Sequence, residues 1–160
     1  MNTTYKILNA ITLNVTGNKY NAVAAECSKA ELLKHKSYFG FDFVKLIPAF
    51  TVYKLHLEDE PNIIQGLFSF RISTGFLQCE NMEINKMNKH GKAIYSGVGK
   101  LMIALCCKIS HDLGFGGYIS FLAKNRLFNY YRRFGAQRIG DSNTMFIDES
   151  TAQKIIAKHF

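Results

Sequence analysis

Two glycines run straight into a long apolar stretch at Ile94-Tyr95-Ser96-Gly97-Val98-Gly99-Lys100-Leu101-Met102-Ile103-Ala104-Leu105, and that junction restricts the fold more than any other segment. Apolar residues recur at Val98, Leu101, Met102, Leu105, Cys106 and Ile109, the i, i+3, i+4, i+7 spacing of one helix face. Gly114 suits the left-handed position past a helix end. Glycines at a helix start let an anion approach the backbone, where free N–H groups and the helix dipole favour negative charge. The junction therefore predicts a phosphate-binding turn opening a helix. Two familiar versions fail on spacing. A Walker loop needs Gly where the chain has Ile94 and Ser or Thr where it has Leu101, and a dinucleotide fingerprint needs a third glycine where it has Met102.

At 160 residues the chain is expected to form a single domain, 1–160, large enough to bury a proper core. Its hydrophobic fraction of 48% and charged fraction of 20% are those of an ordinary globular protein. No run of about 18 apolar residues exists, so no membrane partner is expected. The first residues, Met1-Asn2-Thr3-Thr4-Tyr5-Lys6, lack the basic-then-apolar form of a signal peptide. Cys27, Cys79, Cys106 and Cys107 show no Cys-x-x-Cys spacing and read as reduced thiols, with a cytoplasmic location and no metal expected. A net charge of +8 calls for an anionic partner. Coenzyme A and nucleic acid both satisfy it, and a homodimer is left open.

Taken in order, Tyr5–Thr12 reads as a first strand, broken by the polar stretch 16–21. Ala22 to His35 reads as a helix with Ala24, Cys27, Ala30 and Leu33 on one side. Residues 39–50 are aromatic and irregular, with Pro48 arguing against a central strand. Tyr38, Phe39, Phe41 and Phe43 either line an acceptor pocket or pack as core under a loop. Thr51–Leu57, Ile63–Ile72 and Phe76–Ile84 form a meander of three strands, with Gly66 suggesting a bulge. After the glycine turn and its helix, residues 117–123 are nearly all apolar, as in a strand covered on both faces. Asn125 is the expected N-cap of a helix carrying Leu127, Phe128, Tyr131 and Phe134 and ended by Gly135. Two short strands, 137–139 and 143–147, precede a terminal helix capped by Asp148. The order specifies an α+β (mixed α/β) fold, a central, mostly antiparallel sheet flanked by helices.

The turn Ile94-Tyr95-Ser96-Gly97-Val98-Gly99 resembles the acyl-CoA-binding motif of the GCN5-related N-acetyltransferases (GNAT superfamily), Gln/Arg-x-x-Gly-x-Gly/Ala, with Ile94 in the place of Gln or Arg. In that family a short strand follows, then a helix with Tyr four residues before a Gly-Phe pair. Here Tyr131 stands four before Gly135, and Ala136 replaces the Phe. The usual Asn falls on Lys124, with Asn125 beside it. The two motifs, correctly ordered and separated, span roughly residues 51–147.

The resemblance implies an acetyl-CoA-dependent N-acetyltransferase acting on a primary amine, with acetyl-CoA as co-substrate. Backbone N–H groups of Val98, Gly99 and Lys100, beside Gly97, would hold the pyrophosphate. Lys92, Lys100, Lys124 or Arg126 would reach the adenosine phosphate. The acetyl carbonyl would lie against the strand end at Met82 to Ile84, where N–H groups stabilise an oxyanion. A primary alkyl amine is protonated at neutral pH, so a base helps. Glu83 is the candidate, with Glu80 or water as alternatives, and Tyr131 matches the general acid that protonates the CoA thiolate. His56, His90 and His111 form no metal or triad spacing. Two other functions keep the fold and change the activity: a non-catalytic CoA- or RNA-binding module, and a tRNA-acetylating toxin.

Overall fold

A computed structural model describes residues 3–89, 91 and 93–160. His90 and Lys92, named above, lie outside the described residues. The chain divides into two compact units, Met1–Ser69 with Asn81–Met102, and Phe70–Glu80 with Ile103–Phe160.

In the first unit the strands run in the order β6-β1-β2-β3-β4-β5: β1 is Tyr5–Leu13, β2 Lys19–Glu26, β3 Thr51–Leu57, β4 Glu60–Ile72, β5 Leu77–Ile84 and β6 Tyr95–Ser96. The last parts of β4 and the first of β5 belong to the second unit. The helix expected over residues 22–35 divides into β2 and a seven-residue helix, α1, Lys29–His35. Tertiary pairing overrides the helical propensity of the alanines. Ala24 pairs with Tyr5 and with Leu55, Ala22 with Ile7 and with Leu57, and both methyls are fully buried. The boundary is written locally in Ser28-x-x-Glu31, a capping box in which Ser28 Oγ accepts from the Glu31 N–H and Glu31 from the Ser28 N–H. The buried residue of α1 is Leu32, and Leu33 is half exposed. Leu32 packs with Cys27, Phe39, Phe43, Val52, Ile64 and Leu67, each large side chain contributing about 1.5–3 kcal/mol by burial.

Gly66 marks a close approach where a bulge was expected. A Cβ there would meet Met102 Sδ at 2.8 Å and Val98 Cγ1 at 2.9 Å, so only glycine lets the helix α2, Val98–Ser110, come down on β4. That helix is not amphipathic. Besides its expected face, Ile103, Ala104 and Cys107 are also buried. It unwinds through a π turn at His111–Phe115, with Gly114 at φ +90°, where the stop was predicted.

In the second unit the order is β4-β5-β7-β9-β8, with β7 Ile119–Leu122, β8 Gln137–Arg138 and β9 Thr144–Ile147. Leu77, Gln78 and Cys79 pair in parallel with Ile119, Ser120 and Phe121, while β9 runs antiparallel to both β7 and β8. α3, Phe128–Arg132, follows a 3₁₀ turn at Asn125–Leu127. Lys124 takes the cap position before that turn with no side-chain bond, in place of the expected Asn125 cap. Asp148 does cap the terminal helix α4, Glu149–His159, accepting from the Thr151 N–H at 2.8 Å. Among the described residues no helix is long and apolar enough to cross a membrane.

Candidate active site

The glycine turn is built from β6 into α2. Leu13 and Thr12 of β1 pair with Tyr95 and Ser96, and the Tyr95 N–H donates to Asn88 Oδ1 at 2.9 Å. Gly97 then takes φ +94°, a conformation that L side chains avoid. The first helical bond runs from the Leu101 N–H to the Gly97 carbonyl at 3.0 Å. The N–H groups of Val98 and Gly99 therefore precede the ladder of a 13-residue helix and lie at the positive end of its dipole. Lys100 is exposed in the same turn. A Cβ on Gly97 would meet the Ala10 carbonyl oxygen at 3.1 Å. The glycine is therefore required by the strand behind the turn, and the space for an anion belongs to the N–H groups that follow it. Ile94, in the place of the usual polar residue, is 44% exposed.

A set of buried amides, unnoticed in the sequence, secures this turn. Asn88 Nδ2 donates to Gln65 Oε1 at 2.7 Å, Asn85 Nδ2 to the Ile64 carbonyl at 2.8 Å, and the Asn85 N–H to the Gln65 carbonyl at 2.8 Å. Gln65 Nε2 is buried with no hydrogen-bond partner among the described residues. An asparagine-rich, Lys-rich approach reads as solvated loop, and nothing in its local pattern marks Asn85 and Asn88 as buried.

Met82, Glu83 and Ile84 are half-buried at the end of β5. The Asn81 N–H, just before them, donates to the buried hydroxyl of Ser69 at 3.1 Å. Both Glu83 oxygens are engaged: Oε2 accepts from the Gly40 N–H at 2.7 Å and from Lys89 Nζ at 2.6 Å, and Oε1 from the Phe41 N–H at 2.9 Å. Burial works to raise its pKa, but these donors outweigh it and hold the carboxyl below the usual glutamate range. Glu83 is thus an ionised anchor for residues 40–41 as well as an acid on the proposed carbonyl strand. Of the aromatics near it, Phe39 and Phe43 belong to the core, Phe41 packs edge-on to Phe43 at 5.1 Å, and Tyr38 is exposed. The group does not converge as a lining.

The second unit carries Tyr131 on α3. Its ring lies 4.8 Å from that of Phe121 on β7 and 5.2 Å from that of Tyr130. Burial pushes the phenol up, with smaller contributions from Tyr130 and from the Cys79 and Cys106 thiols. The proton is held at neutral pH, the form a general acid needs. Cys106 is raised by burial and by its hydrogen bond with Cys79, Cys107 by burial, and Cys27 is pushed up to about 12. These are inert structural thiols. Lys124, Asn125, Arg126 and Asn143 line an open depression of about 460 Å³. The parallel ladder of β5 with β7 ends at Cys79 and Phe121.

No family model and no curated protein matches the sequence. Solved structures do match the fold. A bacterial toxin is 9% identical with a TM-score of 0.67, over 87% of this chain and 97% of the other. The chain has the GNAT fold. AtaTR bound with acetyl-CoA is 11% identical, TM-score 0.61, over 84% and 97%. The aminoglycoside acetyltransferase AAC(6')-Ib, in complex with coenzyme A and kanamycin, is 11% identical, TM-score 0.61, over 83% and 98%. On the GNAT fold the predicted architecture of an antiparallel sheet with flanking helices is what the chain adopts.

Proposed function

We propose that the chain is an acetyl-CoA-dependent N-acetyltransferase that acetylates a primary amine. The observation that carries this is the Gly97 turn, with the Val98 and Gly99 N–H groups ahead of the α2 ladder, on the GNAT fold. GNAT-fold neighbours of the chain were solved with acetyl-CoA or coenzyme A bound.

In this reading the N–H groups of Val98, Gly99 and Lys100 hold the pyrophosphate, and Lys124 reaches the adenosine phosphate. The backbone at Met82 to Ile84 receives the acetyl carbonyl. Glu83 holds the acceptor's ammonium and hands its proton to water, since a carboxyl kept below its usual range is a poor terminal base. The free amine attacks the thioester carbonyl, the C–N bond forms, the C–S bond breaks, and Tyr131 protonates the departing thiolate. Acetyl-CoA supplies the acetyl group and the chain supplies position and proton transfer.

Calorimetric titration with acetyl-CoA, desulfo-CoA and ATP tests this. Binding of both CoA species, with ATP at least about tenfold weaker, supports the reading, and no CoA binding removes it.

A second reading rests on charge. Between Asp112 and Asp141 the chain has no acid and five basic residues, Lys124, Arg126, Arg132, Arg133 and Arg138, a composition suited to RNA. Retention on RNA that falls steeply with salt supports it. Neighbours include the AtaT and KacT toxins; the toxin version requires growth arrest on expression that Tyr131→Phe abolishes.

A further inference from the structure

A primary ammonium already sits on the carboxylate to which the proposed function assigns the acceptor amine. Lys89 Nζ lies 2.6 Å from Glu83 Oε2, the lysine side chain 32% exposed and the glutamate 13%. Glu83 does not need this partner to be satisfied, because the Gly40 and Phe41 N–H groups already donate to its two oxygens. Lys89 reaches back to it from a 3₁₀ turn at Lys86–Asn88 whose buried Asn88 also takes the Tyr95 N–H. The lysine thus follows a residue bonded to the glycine turn, and its own ammonium is held on the carbonyl strand. The ion pairs Lys6–Glu58, Lys54–Glu31 and Lys108–Asp112, among the described residues, join no residue of the strand end at Met82 to Ile84.

We propose that Lys89 is an internal acetyl acceptor, modified in cis by acetyl-CoA bound to the same chain. This rests on the N-acetyltransferase reading and gives its site an occupant. The Lys89 ammonium loses its proton to water by way of the Glu83 carboxylate. Nζ attacks the thioester carbonyl, forming the amide C–N bond as the C–S bond breaks. The thiolate takes a proton and leaves as coenzyme A, so one acetyl-CoA gives one acetyl-lysine. The product amide carries no charge, so the Lys89–Glu83 ion pair is lost and the carboxylate becomes available to an external amine.

The test uses the full chain with acetyl-CoA at mildly alkaline pH, followed by intact mass and peptide mapping, with desulfo-CoA affinity measured on the same samples. One acetyl group per chain is expected, at Lys89. Its initial rate should exceed that of the exposed Lys86 by about tenfold or more, since holding two reacting groups together is worth at least that factor. The rate per chain should not change with protein concentration. Acetyl phosphate, which lacks the CoA handle, should remove the preference. Lys89→Arg should abolish the label and leave desulfo-CoA affinity unchanged. Glu83→Gln should slow it by about tenfold or more. Desulfo-CoA binding with Lys89 labelled no faster than Lys86, or at a rate rising with protein concentration, overturns the inference alone. Absence of desulfo-CoA binding overturns the reading beneath it and the inference together.

Discussion

Glu83→Gln separates an anchoring carboxylate from a dispensable one. The native carboxylate accepts from two backbone N–H groups and an ammonium at 2.6–2.9 Å, with its side chain 13% exposed. Glutamine keeps the shape but has one acceptor oxygen, so one of the Gly40 and Phe41 N–H groups faces an NH₂. Gly40 is exposed and Phe41 half-buried, so an unpaired donor costs up to about 1–3 kcal/mol at Phe41 and less at Gly40, where water reaches it. The exposed part of the Lys89 pair adds up to about 1 kcal/mol. The expected loss is up to about 2–3 kcal/mol at neutral pH, or up to about 5–10 °C in the thermal midpoint for a chain of this size. The pH dependence follows from the direction of the shift. The folded carboxyl titrates below its unfolded value, so its stabilisation is full above the unfolded glutamate pKa, about 4.3, and drains away as pH falls through the folded one. The difference between wild type and Glu83→Gln should therefore shrink as pH falls below about 4.3. Thermal melts of both proteins across that range provide the assay. Equal midpoints at neutral pH, or a difference that does not shrink in acid, would refute the anchoring role.

Gly97→Ala forces a residue with a Cβ into φ +94° and within 3.1 Å of the Ala10 carbonyl oxygen. A loss of about 1–3 kcal/mol in chemical denaturation is expected, and an unchanged midpoint would return the glycine to the ligand side of the turn. Gly66→Val puts methyls into Val98 and Met102, lowering stability by about 1–3 kcal/mol; a variant as stable as wild type means that α2 can move off β4. Tyr131→Phe should lower kcat by about 10² or more with desulfo-CoA affinity unchanged, and equal turnover excludes the phenol from proton transfer. Ser28→Ala removes the capping box of α1 and should cost about 1 kcal/mol, read from the same denaturation curves.

Local patterns carried a good deal of this protein. The glycine junction announced α2 and its first turn because a left-handed residue before an apolar 3.6-residue repeat leaves the backbone few alternatives. The meander of β3, β4 and β5 followed from alternation and turn residues, and Asp148 from the chemistry of an N-cap. What stayed hidden depended on partners distant in sequence. Residues 22–26 have alanines that favour a helix, and only β1 and β3 on either side make them a strand. Gly66 looked like a bulge until Val98 and Met102 lay on top of it. The near-continuous burial of α2, including Cys107, is set by what surrounds the helix and not by its own amphipathic count. The carboxylate of Glu83 shows the same division most clearly. Its position beside Met82 and Ile84 could be read along one strand, but its binding to Gly40, Phe41 and Lys89 could not. Donors 43, 42 and 6 residues away meet one pair of oxygens only when the chain folds back on itself, because hydrogen bonds depend on distance in space and leave no periodic trace in the sequence.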